Sequence, residues 1–502
     1  MEPDGTPTSI EERLRRLEAA ARPLEPDAGA RDRLHDAIRR LAERYLARIA
    51  NDAESPAAGT PDVLGAYVQA ADPAAGLLER PIAERGAALD DVVALLEREV
   101  LEPGGHPASP GHLAYLSGGG LYHAALGAYL GAVTNKYPGI FFTGPGPVRM
   151  EDRLVRWTAD LVGFPDTAAG YIASGGSLAN FTAVVTARDA RGLRGSDLAS
   201  TVAYTTSQAH HCIDKALRLA GLAEVELRRI PTDAGHRMRP AALAEAIAED
   251  RAGGRVPWLV VATAGTTDVG AVDPLRGIAD VAEREGCWLH VDAAYGGYFL
   301  LTEQGRERMA GIERADSAVL DPHKSLFLPW GAGILVVRDG ALLADAHGGS
   351  GPYLQDAENA RAVVSPADLS PELTKPFRAL AMWLPLVLLG TRPFAAALEE
   401  KLLLARYFRR RVAELGFEVG PPPDLSVATF RLAPSDVNPA EADAMNRRIV
   451  DALRRDGRIF LSSTVLDGRF TIRMAALPHR THRRHVDLAL HLLGEEMATE
   501  RG

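Results

Sequence analysis

Apolar positions along this chain repeat with two different periods. In residues 31–50, Leu34, Ile38, Leu41, Tyr45 and Ile49 fall on one stripe, which predicts an amphipathic helix. Residues 51–61 read as a Pro/Ala/Gly connector, and a second helix is expected at 89–100. The first hundred or so residues hold no strand-like run, so segment 1–110 is expected to be helical, a plain appendage or a dimerisation arm. From about Tyr171 the texture changes. Short apolar runs at 201–204, 258–262, 288–291, 318–320 and 334–337 are separated by helical segments such as 243–248 and 278–284. That alternation predicts an α/β domain over 111–389, a mainly parallel sheet covered on both faces. After Leu389 the pattern becomes α+β, with helices near 396–415 and 486–497 and strands near 425–431 and 469–474. Residues 390–502 are expected to form a smaller C-terminal domain.

Length and composition narrow the picture. The 502 residues suggest about three domains at about 150 residues each. The formal charge of −10 argues against a nucleic-acid partner. Cys212 and Cys287 make no disulfide framework, which points to a reducing cytosol. The start, MEPDGTPTSIEERL, has no basic region or apolar core, so no signal peptide is expected. The apolar stretch 379–389 contains Pro385 and is too short to span a bilayer. A soluble cytoplasmic protein without a membrane partner is the expectation.

Five motifs carry candidate chemistry, and each has a bland alternative. Asp-Pro-His-Lys-Ser, 321–325, puts Lys324 just past a strand, where partial desolvation would lower an amine's pKa for attack on a carbonyl. Taken alone, the plainer reading is a surface-loop lysine. His-Val-Asp-Ala-Ala-Tyr-Gly-Gly, 290–297, ends an apolar run on Asp292, a costly place for a carboxylate without a cationic partner. A protonated pyridine nitrogen is such a partner; a helix cap is the plainer reading. Ala-Ser-Gly-Gly-Ser-Leu-Ala-Asn, 173–180, offers Gly176 and Ser177 at a helix N-terminus to an anion, or is simply a turn. It lacks the Gly-Lys-Ser/Thr of a nucleotide loop. In Ser-Gln-Ala-His-His-Cys, 207–212, His210 or His211 could stack on a ring, and His210 is favoured. In Ala-Gly-Thr-Thr, 264–267, Thr266 could bond a ring oxygen. All five follow predicted strands, whose carboxyl ends form the ligand edge of such sheets.

In this order the motifs closely resemble the group II pyridoxal-5′-phosphate (PLP) decarboxylases, the fold-type-I family of the aromatic-L-amino-acid and glutamate decarboxylases. HVDAAYGG and DPHKS carry the resemblance, with QAHHCIDKA and FRALAMW (377–383) in support, from about residue 111 to 383. The resemblance implies a homodimer with sites at the subunit interface and PLP held as an imine by Lys324. It implies Asp292 at the ring nitrogen, His210 stacked on the ring, and Thr266, Ala294 and His323 lining the cofactor. Gly176, Ser177 and Asp321 would lie at the phosphate, with Thr374 reaching it from the partner subunit. Tyr115, Leu116, Ser117 and Phe142 would face the substrate. Residues 351–356, Gly-Pro-Tyr-Leu-Gln-Asp, match the family's mobile loop and make Tyr353 the proton donor. The chain departs from the family's usual Asn-Pro-His-Lys-Trp at Asp321 and Ser325, and Asp321 beside a phosphate is repulsive unless protonated or turned away.

The implied reaction is removal of the α-carboxylate of a neutral hydrophobic L-amino acid, aromatic or branched aliphatic. Residues 113–122 hold no Lys or Arg to neutralise an acidic side chain. The rivals are an oxidative aldehyde synthase, an acidic amino acid decarboxylase, an aminotransferase and an inactive scaffold. His479, His482 and His485 have a spacing open to zinc, but Arg480, Arg483 and Arg484 between them disfavour a cation, and no metal is expected.

Overall fold

The computed structural model describes residues 9–52, 82, 84–195, 197–349 and 363–501. They fall into two units, Met1–Gly105 and His106–Gly502. The first holds the helices Ile10–Ala21, Ala28–Asp52 and Leu89–Leu96. Ser9 caps the first by accepting the Glu12 amide at 3.2 Å. Arg44 grips Glu97 with two bonds of 3.0 and 2.8 Å.

The second unit contains β1 (His112–Leu113), β2 (Ala169–Ala173), β3 (Thr201–Thr205), β4 (Glu226–Arg229), β5 (Val256–Thr263), β6 (Trp288–Asp292), β7 (Ser317–Leu320), β8 (Gly333–Val337), β9 (Glu418–Val419), β10 (Val427–Arg431), β11 (Phe460–Leu466) and β12 (Arg469–Ala475). Seven form one sheet in the order β2-β8-β7-β6-β5-β3-β4. Its pairings are parallel from β7 through β4, and β8 runs antiparallel to both neighbours. β2 therefore points the same way as the parallel strands, and its end opens on the same edge. The five expected apolar runs are β3, β5, β6, β7 and β8. They are apolar throughout because alternate residues enter two different cores. Val260 and Ala262 pack with Leu243 and Ile278 on one side, while Leu259 and Val261 pack with Ala183 and Val184 on the other. This is the fold-type-I arrangement expected from the sequence.

Two of the longer strands escape the apolar pattern. β4, Glu-Leu-Arg-Arg, is an edge strand whose side chains are half-buried or exposed. β11 alternates weakly, but it pairs on one side with β12 and on the other with β1. The second sheet runs β1-β11-β12-β10-β9, so His112 and Leu113, at the start of the expected large domain, belong to the C-terminal sheet. Among the described residues no single helix is long and apolar enough to cross a membrane; Arg378–Leu389 and Arg392–Glu414 pass only as a pair bent by 95°.

One buried ion pair fixes β2. Glu151, on the helix Pro145–Val162, accepts the Ile172 amide at 2.9 Å and also bonds Lys375. The two side chains are 2% and 1% exposed, so removing either leaves an uncompensated buried charge. Glu151→Ala is expected to cost about 3–5 kcal/mol, read from urea unfolding. Glu151→Leu combined with Lys375→Met should recover most of that loss.

Candidate active site

The carboxyl ends of β2, β3, β5, β6 and β7 lead directly into the five motifs. Together they line a cavity of about 280 Å³. Gly176, Ser177, His210, Asp292, Ala294, Asp321, His323 and Lys324 all face it, as does Leu116 from the segment after β1.

Asp292 is the last residue of β6 and is buried. Its Oδ1 accepts the Ala294 amide at 3.1 Å and its Oδ2 accepts Asn180 Nδ2 at 3.2 Å. Asn180 is in turn oriented by a chain of donors. Trp288 Nε1 donates to Ser317 Oγ at 2.9 Å, Ser317 lies 2.8 Å from His290 Nδ1, and His290 Nε2 lies 2.7 Å from Asn180 Oδ1. Because an amide oxygen only accepts, His290 carries its proton on Nε2 and accepts from Ser317 on Nδ1. Burial pushes the His290 imidazole down to about 3, so the ring stays neutral in this role. Burial pushes the Asp292 carboxyl up, partly offset by the nearby Lys324.

Lys324 sits in the one-turn helix Pro322–Ser325, and its Nζ lies 3.0 Å from Asp321 Oδ2. Desolvation was expected to lower its pKa. Burial does push that way, but Asp321 and Asp292 outweigh it and hold the ammonium above its ordinary range. Asp321 is buried, and its Oδ1 has no hydrogen-bond partner among the described residues. Its Oδ2 reaches the glycine turn, where a Cβ on Gly176 would lie 2.9 Å from it. The His323 ring, packed against Ala332 O, is held below the ordinary histidine range by burial.

His210 is half-buried at the mouth, its ring 4.1 Å from that of His211. Its Nδ1 accepts the Cys212 amide at 3.2 Å, which leaves the ring proton on Nε2. Burial and the neighbouring His211 lower its pKa to about 4.

Several expected residues stand elsewhere. Thr266 is fully buried in its own turn, its hydroxyl accepting the Ala271 amide at 3.0 Å; Thr263 and Thr267 line the cavity instead. Ser117 bonds Pro107 O at 3.2 Å and the Gly119 amide at 3.3 Å, so its hydroxyl serves the loop. Tyr115 and Phe142 are 58% and 53% exposed and do not line the cavity of this chain; Thr374, expected to act from the partner subunit, is exposed on this one. Tyr353 lies outside the described residues. The sequence missed Asn180; its signal was the helical spacing from Ser177, which brings residue i+3 onto the same face.

These groups fit PLP. A buried carboxylate pinned by Asn180 suits a protonated ring nitrogen. The glycine turn at the start of the helix Gly176–Ala190 suits a phosphate. Asp321, beside the glycine turn, is paired through Oδ2 with the Lys324 amine at 3.0 Å, which offsets its charge there. The arrangement can hold a cofactor covalently, tune its ring charge and keep a neutral imidazole donor at the opening.

Comparison with known proteins agrees with this geometry. The family model described as "Pyridoxal-dependent decarboxylase conserved domain" matches residues 75–433. An aromatic-L-amino-acid decarboxylase of Bacillus atrophaeus is 33% identical over 407 residues, covering 80% of this chain and 84% of that one. An L-2,4-diaminobutyrate decarboxylase of Rhizobium meliloti (strain 1021) is 33% identical over 426 residues, covering 83% of each. The crystal structure of Oryza sativa TDC with PLP and tryptamine superposes with a TM-score of 0.85 at 28% identity, over 95% of this chain and 99% of that one. The chain therefore belongs to the pyridoxal-dependent decarboxylase family and is a PLP-dependent carboxy-lyase.

Proposed function

We propose that this enzyme decarboxylates a neutral hydrophobic L-amino acid, aromatic or branched aliphatic, to its amine. The observation that carries the reading is that Lys324 and Asp292 line one cavity that contains no other lysine or arginine among its described lining residues. A side-chain carboxylate buried there would lack a counter-ion, at a cost of several kcal/mol. Arg149 lies 5.3 Å over the Phe141 ring, and Lys136 precedes the apolar stretch 140–142 in the chain; neither lines the cavity.

PLP, when bound, supplies the sink for the electron pair released as CO₂ leaves. Lys324 is the residue proposed to hold it. Asp292 keeps a proton on the ring nitrogen, and Asn180 keeps the carboxylate aimed. Gly176 and Ser177 present the helix N-terminus to the phosphate. Asp321 lies beside the Lys324 amine and retains a proton at Nζ when that amine is free. His210, neutral and with its proton on Nε2, offers that donor to the substrate carboxylate. Tyr353 is proposed, on its sequence setting alone, to return the proton to Cα. Plain amine formation is favoured over oxidative aldehyde formation by the presence of both His210 and Tyr353.

A homodimer is proposed on a separate observation. Tyr122, Leu126, Tyr129, Leu130 and Val133 form an exposed apolar stripe along the helix Tyr122–Thr134. The packed neighbour Arg378–Leu389 adds exposed Val387 and Leu388. A continuous apolar face of this kind suits a second copy of the chain. Two buried, unpaired cysteines support a reducing, cytoplasmic setting.

Borohydride reduction of the PLP-loaded enzyme should fix the pyridoxyl mass on Lys324, found by peptide mapping; a label on another lysine overturns the assignment. Asp292→Asn should keep the cofactor yet lose at least about a hundredfold in kcat, about 3 kcal/mol. An amino-acid panel read by CO₂, amine and peroxide should show graded turnover of Phe, Tyr, Trp, Leu and Val without peroxide. Glutamate, aspartate or diaminobutyrate as best substrate by kcat/KM refutes the specificity, and stoichiometric peroxide refutes the amine product. In sedimentation the wild type should run as a dimer and Leu126→Glu/Leu130→Glu as a monomer of low activity.

A further inference from the structure

The motif His-Arg-Thr-His-Arg-Arg-His, 479–485, follows β12 and stands outside the cavity lining. Its first three residues all reach the same distant segment. The His479 amide and Nδ1 lie 3.3 and 3.2 Å from Gly118 O. Arg480 Nη1 donates to Gly119 O at 2.7 Å. Thr481 Oγ1 donates to Pro110 O at 2.8 Å. The clasp has its own support, since the fully buried Lys401 donates to Thr481 O and pairs with Glu400 at 2.8 Å. Glu400 in turn holds His482 Nδ1 at 2.8 Å, so the histidines have separate partners.

The gripped segment is the wall beside Lys324. A Cβ on Gly118 would lie 2.5 Å from Lys324 O and 2.7 Å from His323 O, which leaves room only for glycine. The Leu121 amide donates to Phe327 O at 2.6 Å. Leu116, two residues before Gly118, lines the cavity. Gly119 and Gly120 have φ of 88° and 67°, a left-handed path that favours glycine. β1 ties the start of the segment to β11 and the Leu121 amide ties its end, and the grip on the Gly118 and Gly119 carbonyls holds the stretch between them.

We propose that His479, Arg480 and Thr481 are positioning residues that hold the loop 110–120 against the Lys324 turn and so set the wall that meets the substrate side chain. The inference rests on the proposed decarboxylase reading for its effect on substrate, but not for the clasp itself. Burial and the adjacent Arg480 lower His479 to about 4, so a neutral Nδ1–H donor is available across the physiological range.

The test uses the PLP-loaded full-length enzyme and two readouts. In hydrogen exchange, Arg480→Gln and His479→Ala should speed exchange in peptides covering 112–121 and leave β11 and β12 protected. In kinetics the same variants should raise KM about tenfold, keep kcat within about twofold and change the preference between Phe and Leu. His479→Asn, whose amide nitrogen can replace Nδ1, should restore both readouts. If Arg480→Gln does not fold, Thr481→Val applies the same test. Unchanged exchange in 112–121, a rise spread equally over β11 and β12, or a loss carried by kcat or PLP content overturns the clasp. Absence of turnover by the wild type would remove the decarboxylase reading alone, and the exchange result would still decide the clasp.

Discussion

The structure is organised around a buried charge that must be held in one orientation, the carboxylate of Asp292. A carboxylate at the end of a central strand is expensive unless its oxygens are bonded and a cation lies near. Here the strand's own next amide takes one oxygen and Asn180 takes the other. Asn180 can do so only because its amide is turned by His290, itself set by Ser317 and Trp288. Those residues lie on β6, β7 and the helix Gly176–Ala190, so the sheet and its covering layer share the task. Networks of this kind tolerate no half-measures, because one unsatisfied buried partner costs about 1–3 kcal/mol.

The same constraint explains the charge state of Lys324. Two buried carboxylates face one amine, and their combined field outweighs desolvation. Asp321 is close to the amine by local geometry, three residues before it on a single turn. Asp292 is close because the sheet places β6 beside β7.

The buried strands and the polar motifs at their ends were legible in the sequence because both follow from local pattern. An apolar run on two faces means a covered strand, and a Gly- or Asp-bearing turn after it means the ligand edge. What was not legible depended on neighbours distant in the chain. β4 is polar because it is an edge, and β11 is weakly patterned because pairing on both sides holds it. Thr266 and Thr267 are indistinguishable in sequence; only the return of the chain to Ala271 turns the former away from the cavity. Desolvation alone predicts a depressed Lys324 amine; Asp321, three residues earlier on the same turn, was legible as an opposing charge, whereas the approach of Asp292 depended on the sheet.

The pairing of β1 with β11 joins residue 112 to residue 460 across most of the chain. A nascent chain leaving the ribosome can complete the seven-stranded sheet once β8 has emerged, and with it the motifs that line the cavity at its edge. Its remaining wall has no partner until the last tenth of the protein is made. Loop closure over such a separation is slow. The order of synthesis thus leaves an interval in which the cavity is assembled but open on one side, and a truncated or stalled chain would carry the Lys324 amine without the wall that screens it.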